Sequence, residues 1–309
     1  MKVAIIGVGS VGSAIATAVK NTGLVHEIIL FDRDGVRARA AAEDLGHAAS
    51  FGFDVNITAA SNYRAMRDSD IVIIAAGANQ RPGETRTDLL QNNADVIRDI
   101  VPRVMSVVDS KHVIIIVVTN PLDVMVMLTQ EISKLPPSRV IGTGTMLDSA
   151  RLRTILSRGL GVSPQSIHSY VIGEHGDSSV INWSSVTVGG LALDDFCRQV
   201  KIPMTTATRE TIEYRVRNAA YEIINGRGAT WDGISAAVHD LLKCIINDEH
   251  RILTVSTVAG TGHNTVAMSL PRIVGIDGVI TSLVPKMSPS ESSALRRSAR
   301  IIQKNFAHI

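Results

Sequence analysis

Val3-Ala4-Ile5-Ile6-Gly7-Val8-Gly9-Ser10-Val11-Gly12 is the stretch on which the fold turns. Four apolar residues predict a strand buried on both faces. The glycines predict a tight turn, and residues 10–21 carry a helical pattern. A G-x-G-x-x-G alone is a weak signal, but here it joins a strand to a helix. Asp32 stands 20 residues beyond Gly12, at the end of a second predicted strand. That context points to a dinucleotide-binding loop. Backbone N–H groups of the loop and the helix N-terminus can approach a pyrophosphate. Asp32 would accept hydrogen bonds from ribose hydroxyls and repel a 2′-phosphate. NAD is therefore expected over NADP, although Arg33 alongside leaves a minor use of NADP open. The plain alternative is a tight turn that binds nothing.

Outward from this loop, apolar β-branched runs at 3–6, 27–31, 55–58, 71–75, 113–118 and 140–142 predict six strands. Helical segments at 10–21, 35–49, 89–108 and 121–133 alternate with them. Such alternation predicts a doubly wound parallel α/β sheet of the Rossmann type. Beyond about residue 145 the pattern changes. A helix at 147–160 precedes a candidate strand at 167–172 and hairpin-like strands at 180–188 followed by Gly189-Gly190. Helices at 205–224 and 231–246, strands at 252–258 and 265–270, and a final helix at 289–306 follow. The expected organisation is an NAD-binding domain over 1–144 and a smaller α+β substrate domain over 145–309. The helix near 231–246 is expected to reach onto the first domain.

Composition agrees with a two-domain globular chain of 309 residues. Lys plus Arg number 31 and Asp plus Glu 29, a net charge of +2 that argues against a nucleic-acid binder. With 45% hydrophobic and 19% charged residues the chain is not disordered. Aromatics are 4%, so the core must be Val, Ile, Leu and Ala. Cys197 and Cys244 have neither zinc nor disulfide spacing and read as reduced thiols. The start carries no basic leader, and apolar runs fall short of the ~20 residues of a membrane span. A cytoplasmic protein without membrane or nucleic-acid partners is expected, and the sequons at Asn56 and Asn182 read as chance. No cluster has metal-ligand spacing.

Four further segments carry chemistry. Gly173-Glu174-His175-Gly176-Asp177 places a histidine with a small neighbour in a loop after a strand, where it suits proton transfer near neutral pH. Asp148 and Arg151, in Leu147-Asp148-Ser149-Ala150-Arg151, share one helix face. They can form a plain salt bridge, or the carboxylate can orient an imidazole while the guanidinium grips a substrate carboxylate. Gly77-Ala78-Asn79-Gln80-Arg81-Pro82-Gly83-Glu84-Thr85-Arg86 leaves the fourth strand at the sheet's carboxyl edge, where ligands bind and a lid would sit. Thr119-Asn120-Pro121 ends the fifth strand at the same edge.

Together these motifs, in this order and spacing, resemble the L-lactate/malate dehydrogenase family from the first strand to the last helix. Within it the chain is similar to the bacterial L-lactate dehydrogenases. The resemblance implies an NAD-dependent reduction of pyruvate to L-lactate. His175 would exchange the proton, Asp148 would fix its tautomer, and Arg151 would hold the substrate carboxylate. Arg86, carried in by loop closure, would polarise the carbonyl. Asn120 would hydrogen-bond at the reacting centre and Thr230 would line the pocket. Gly7, Gly9, Ser10, Val11, Gly12, Asp32, Gly77, Thr119 and Asn120 would hold the cofactor.

Malate dehydrogenases of the family share an Arg where this chain has Gln80. A neutral amide tolerates pyruvate's methyl but leaves oxaloacetate's second carboxylate without a cation. Pyruvate is therefore expected, with malate dehydrogenase or a broader L-2-hydroxy acid dehydrogenase as alternatives. A different class, a catalytically silent dinucleotide-binding protein, is disfavoured by the intact set His175, Asp148, Arg151 and Arg86. The resemblance also implies a homotetramer. It extends to Arg153 and His168, which would hold fructose 1,6-bisphosphate at a subunit interface; otherwise they are a helix surface charge and a strand residue.

Overall fold

The computed structural model describes residues 1–78 and 86–309; the side chains of Arg86, Thr87 and His263 lie outside that description. Six parallel strands form its centre: β1 (Lys2–Ile6), β2 (Glu27–Phe31), β3 (Asn56–Ala59), β4 (Ile71–Ile74), β5 (Ile114–Val117) and β6 (Val140–Gly142). Between them run α1 (Ser10–Lys20), α2 (Gly35–His47), α3 (Arg86–Met105) and α4 (Leu122–Ser133). Every residue of β4 and β5 is buried, as Ile-Val runs without polar alternation require. β1 pairs with both β2 and β4, so the strand order reverses beside it. At such a switch point the loops after the two strands diverge and open a crevice at their carboxyl ends.

The later elements are α5 (Met146–Leu160), β7 (Ile167–His168), β8 (Val171–Ile172), β9 (Val180–Ile181), β10 (Thr187–Val188), β11 (Leu191–Ala192), α6 (Leu193–Val200), α7 (Thr206–Arg227) and α8 (Asp232–Ile246). They continue with β12 (Arg251–Leu253), β13 (Ser256–Ala259), β14 (Val266–Ser269), β15 (Arg272–Gly275), β16 (Gly278–Ser282) and α9 (Pro289–Phe306). β13 pairs antiparallel with β6 and β14 antiparallel with β13, so the large sheet has eight strands.

Two single strands expected from sequence, at 167–172 and 252–258, are each two. The run 167–172 breaks after His168: β7 pairs with β10, while β8 pairs with β9 in another sheet. The hairpin expected at Gly189-Gly190 joins β10 to β11, and a 3-10 turn at Trp183–Ser185 separates β9 from that hairpin. The run 252–258 breaks where the Thr254 carbonyl accepts from Thr145 N–H, so β12 joins β15 and β13 joins the large sheet. In both single runs apolar continuity hides a change of partner. The short helix α6 and the β15–β16 hairpin had no counterpart in the sequence reading.

Apolar packing covers both faces of the large sheet. On one face α3, α4 and Ile302 of α9 meet Ile74, Ile115 and Val117. On the other, Ile15, Ala16 and Val19 of α1 share a cluster with Val238, Leu241 and Leu242 of α8. A third cluster belongs to the later residues. Leu152, Leu156 and Leu160 recur at i, i+4 and i+8 on one face of α5, against Val171, Ile181, Ile212 and Val216. Truncating one such Leu costs about 2–5 kcal/mol. α5 ends at Gly161 in the left-handed conformation (φ 68°). α9 starts with a capping box between Ser288 and Glu291. Cys197 and Cys244 are buried and unbridged. Among the described residues no helix is long and apolar enough to cross a membrane.

Candidate active site

The glycine loop follows β1. Gly7 adopts φ 94°, and a Cβ there would lie 2.4 Å from the Ala76 nitrogen, so the loops after β1 and β4 touch at the switch point. A Cβ on Gly12 would lie 1.8 Å from the Gly7 carbonyl oxygen, which is why α1 can begin this tightly. Gly9 differs: nothing stands within 4 Å of where its Cβ would be. No side chain caps α1, so its first N–H groups have no side-chain acceptor at the cap. Val8 N–H donates to Asp32 Oδ2 at 2.8 Å and Asp34 N–H to Asp32 Oδ1 at 2.9 Å, fixing the carboxylate beside the loop. Arg37 approaches it at 3.9 Å. An open face at Gly9, uncapped amides and a fixed acid fit a dinucleotide.

The neighbouring loops are tied together by Asn93 of α3, buried within the crevice wall. Its Oδ1 accepts from Ala78 N–H at 2.7 Å and its Nδ2 donates to the Asn120 carbonyl at 2.7 Å. Thr119 donates to the Ala76 carbonyl at 2.7 Å, and a Cβ on Gly77 would press on its methyl. Asn120 itself is exposed at the strand edge.

His175 lies in the loop after β8, which is pinned on both sides. Gly173 exchanges main-chain hydrogen bonds with Ser269 of β14, and Ser298 of α9 accepts from Glu174 N–H at 2.8 Å. The imidazole Nδ1 lies 2.7 Å from Asp148 Oδ2, and Arg151 Nη1 donates to Asp148 Oδ1 at 2.8 Å. Both residues sit on the first turns of α5, so the salt bridge and the imidazole contact coexist, one on each carboxylate oxygen. On the other side, His175 N–H donates to Asp123 Oδ2 at 2.7 Å, and Ser256 Oγ donates to Asp123 Oδ1 at 2.6 Å.

Electrostatics follow from these contacts. Burial works against a charged His175, but the Asp148 carboxylate overcomes it, and the imidazole pKa is raised. Burial works against ionised Asp148 too, yet His175 and Arg151 hold its carboxyl below the usual range. Asp123 has no such cation in contact, and burial pushes it up to about 6 against the hydrogen bonds it accepts. An acid–base pair beside the carboxyl edge of a dinucleotide sheet can move a proton to or from a ligand in the crevice.

The structure thus brings His175, Asp148 and Arg151 together and places Gly7, Gly9, Ser10, Val11, Gly12, Asp32, Gly77, Thr119 and Asn120 around the crevice loops. Thr230 lies half-buried in the short connection between α7 and α8. Gln80 lies outside the described residues, and of Arg86 only the backbone, opening α3, is described. Arg153 lines a cavity of about 350 Å³ with Ser169, Tyr170 and Asp240, whereas His168 is exposed on β7. Sequence reasoning missed Asn93, Asp123, Ser256 and Ser298. Only Asp123 left a signal, an acid three residues beyond Asn120 in an otherwise apolar helix turn.

Comparison with known proteins agrees with this geometry. A family model for the lactate/malate dehydrogenase NAD binding domain matches residues 1–142. A second, for the lactate/malate dehydrogenase alpha/beta C-terminal domain, matches 145–309. An L-lactate dehydrogenase of Thermus aquaticus is 45% identical over 98% of this chain and 97% of its own. One from Chloroherpeton thalassium is 41% identical over the whole of both chains. Among solved structures, a lactate dehydrogenase from a Medee basin deep-sea metagenome superposes with TM-score 0.94 at 37% identity, covering 99% and 98% of the two chains. The minor L-lactate dehydrogenase of Enterococcus mundtii, in a ligand-bound form, also gives 0.94, at 35% identity over 100% and 98%.

Proposed function

The chain belongs to the lactate/malate dehydrogenase family, and on that premise we propose how its residues interconvert pyruvate and L-lactate as an NAD-dependent L-lactate dehydrogenase. The observation that carries the proposal is the His175–Asp148–Arg151 chain of contacts at 2.7 and 2.8 Å. With Nδ1 committed to Asp148, Nε2 is the nitrogen left to face a substrate. Protonated His175 gives its proton to the carbonyl oxygen in reduction, and the neutral ring takes it back in oxidation. Asp148 holds the ring orientation and stabilises the imidazolium. Arg151 grips the carboxylate with two parallel hydrogen bonds. Arg86, whose backbone opens α3, would polarise the carbonyl as charge grows on its oxygen. By likeness to the family, Asn120 would hydrogen-bond at the reacting centre, Thr230 would line the pocket, and Gln80 would meet the methyl group.

Gly7, Gly9, Ser10, Val11 and Gly12 would hold the cofactor, with Asp32 for its ribose and Gly77, Thr119 and Asn120 as further holding residues. When bound, NADH supplies the hydride. Residues 1–144 do this holding, and most of 145–309 supplies the proton and the pocket. The test is kcat/KM for pyruvate and oxaloacetate with NADH and NADPH. Preference for oxaloacetate would refute the lactate assignment, and no NADH oxidation with any keto acid would leave a silent binder.

By likeness to the family, the enzyme would act in the cytoplasm as a homotetramer. Arg153 of one subunit and His168 of another would hold fructose 1,6-bisphosphate and lower the KM for pyruvate. Exposure of His168 and the cavity beside Arg153 support this. An unchanged KM in the presence of the bisphosphate would dismiss it, and His168→Ala should abolish any shift.

A further inference from the structure

We propose that Asp123 is a positioning residue for His175: its carboxylate fastens the His175 main chain to the helix that begins beside Asn120, and its charge favours the imidazolium. The inference rests on the dehydrogenase reading above. Asp123 is 2% exposed, and both its oxygens are used, Oδ2 by His175 N–H at 2.7 Å and Oδ1 by Ser256 Oγ at 2.6 Å. Those two donors are neutral. An asparagine could satisfy the amide with its carbonyl and the hydroxyl with its NH₂, without the several kcal/mol that burying an ion costs. Hydrogen bonding alone therefore does not account for a carboxylate here.

The charge has an object. His175 is gripped at its ring by Asp148 from α5 and at its backbone by Asp123 from α4. An imidazolium formed in this crevice is stabilised by both anions and opposed by Arg151. Around Asp123 itself, Glu174 opposes ionisation, while His175 favours it. Arg272 of β15, 1% exposed, also interacts favourably with the Asp123 charge. With its carboxyl near 6, Asp123 is mostly ionised at neutral pH. Because α4 starts directly after Asn120-Pro121, the same contact sets the imidazole in register with Asn120. Ser256 of β13 locks this register from the antiparallel strand that the later half of the chain contributes to the large sheet.

The experiment compares wild type with Asp123→Asn by two measurements against pH. One is kcat/KM for pyruvate reduction. The other, on protein without substrate, is the rate at which diethyl pyrocarbonate modifies His175, followed by peptide mass. Reduction needs the imidazolium and modification needs the neutral ring. Both midpoints should therefore move to lower pH, by about half a unit or more. Ser256→Ala, which removes only a hydroxyl and makes Asp123 easier to protonate, should shift both midpoints the same way by a smaller amount. A folded Asp123→Asn with a uniformly lower rate and unmoved midpoints would overturn the proposal. So would unmoved midpoints in Ser256→Ala if the asparagine variant does not fold. Absence of pyruvate turnover in wild type would sink the dehydrogenase reading instead, and the modification midpoints would still decide the role of Asp123.

Discussion

Replacing Asp148 by asparagine removes one charge and almost no volume, at a residue only 7% exposed. Two contacts lose their ionic character at once: Nδ1 of His175 at 2.7 Å and Nη1 of Arg151 at 2.8 Å. A hydrogen bond to a charged group is worth about 1.5–3 kcal/mol, and each 1.36 kcal/mol is tenfold in rate. If the His175 contact matters only once the ring carries the transferable proton, its loss predicts a fall in kcat/KM for pyruvate of ~10- to 150-fold. Arg151, freed from its partner, should raise KM as well. The pH profile gives a second readout. Asp148 is what keeps the His175 pKa raised against burial, so in Asp148→Asn the decline of reduction should begin at lower pH. Steady-state kinetics across pH, with circular dichroism to confirm the fold, provide the assay. A variant within threefold of wild type, with an unmoved profile, would refute the proposed pairing.

The same pair predicts a stability window. Asp148 contributes above its unfolded value of 3.8 and loses that contribution as pH falls through its lower folded value; His175 contributes fully below 6.5 and loses it as pH rises through its higher folded value. The difference in Tm between wild type and Asp148→Asn should therefore be largest between those two values and shrink outside them. Gly9→Ala should leave Tm unchanged, because its Cβ enters open space, yet weaken NADH binding about tenfold, some 1.4 kcal/mol. Gly12→Ala, with its Cβ 1.8 Å from the Gly7 oxygen, should lower Tm whether or not NADH is present. Equal Tm losses in the two variants would argue against Gly9 facing a ligand. Asp32→Ala should raise the NADPH-to-NADH ratio of kcat/KM and cost about 1–3 kcal/mol by leaving Val8 N–H unmet, measurable by urea titration. Gln80→Arg should shift the kcat/KM ratio toward oxaloacetate; an unchanged ratio would take Gln80 out of the pocket.

What could be read from sequence was local. The turn at Gly7, the reach from Gly12 to Asp32 and the alternation of buried strands with helices each depend on residues close in the chain. The parallel core emerged with strand ends displaced by a residue or so, as at 55–58 against Asn56–Ala59. Helix α5 was legible because Leu152, Leu156 and Leu160 repeat on one face and Gly161 stops it. Asp148 and Arg151 share a face by helical geometry alone, although their spacing could not say that Arg151 takes one carboxylate oxygen of Asp148 and His175 the other. The strand runs at 167–172 and 252–258 misled for one reason: hydrophobic continuity records burial but not which neighbour supplies the hydrogen bonds.

Contacts that complete the site are remote and individually polar, so no periodicity announces them. Ser256 reaches Asp123 across 133 residues, Ser298 reaches Glu174 across 124, and Thr145 N–H meets the Ser269 hydroxyl across another 124. Each is a small residue whose composition value is close to neutral, yet each is buried and hydrogen-bonded where the later half of the chain joins the large sheet. Their common effect is to hold one loop, Gly173 to Ser178, against β14, α4 and α9 at once. The motif around His175 therefore has its chemistry written in sequence and its position determined by the seam. Disturbing that seam at Ser298 should loosen the Glu174 amide without touching a titratable group. Ser298→Ala is thus expected to lower kcat at all pH values with the His175 midpoint unchanged, the opposite signature to Asp123→Asn. If Ser298→Ala shifted the midpoint as far as Asp123→Asn does, loop position rather than the Asp123 charge would control the proton affinity of His175.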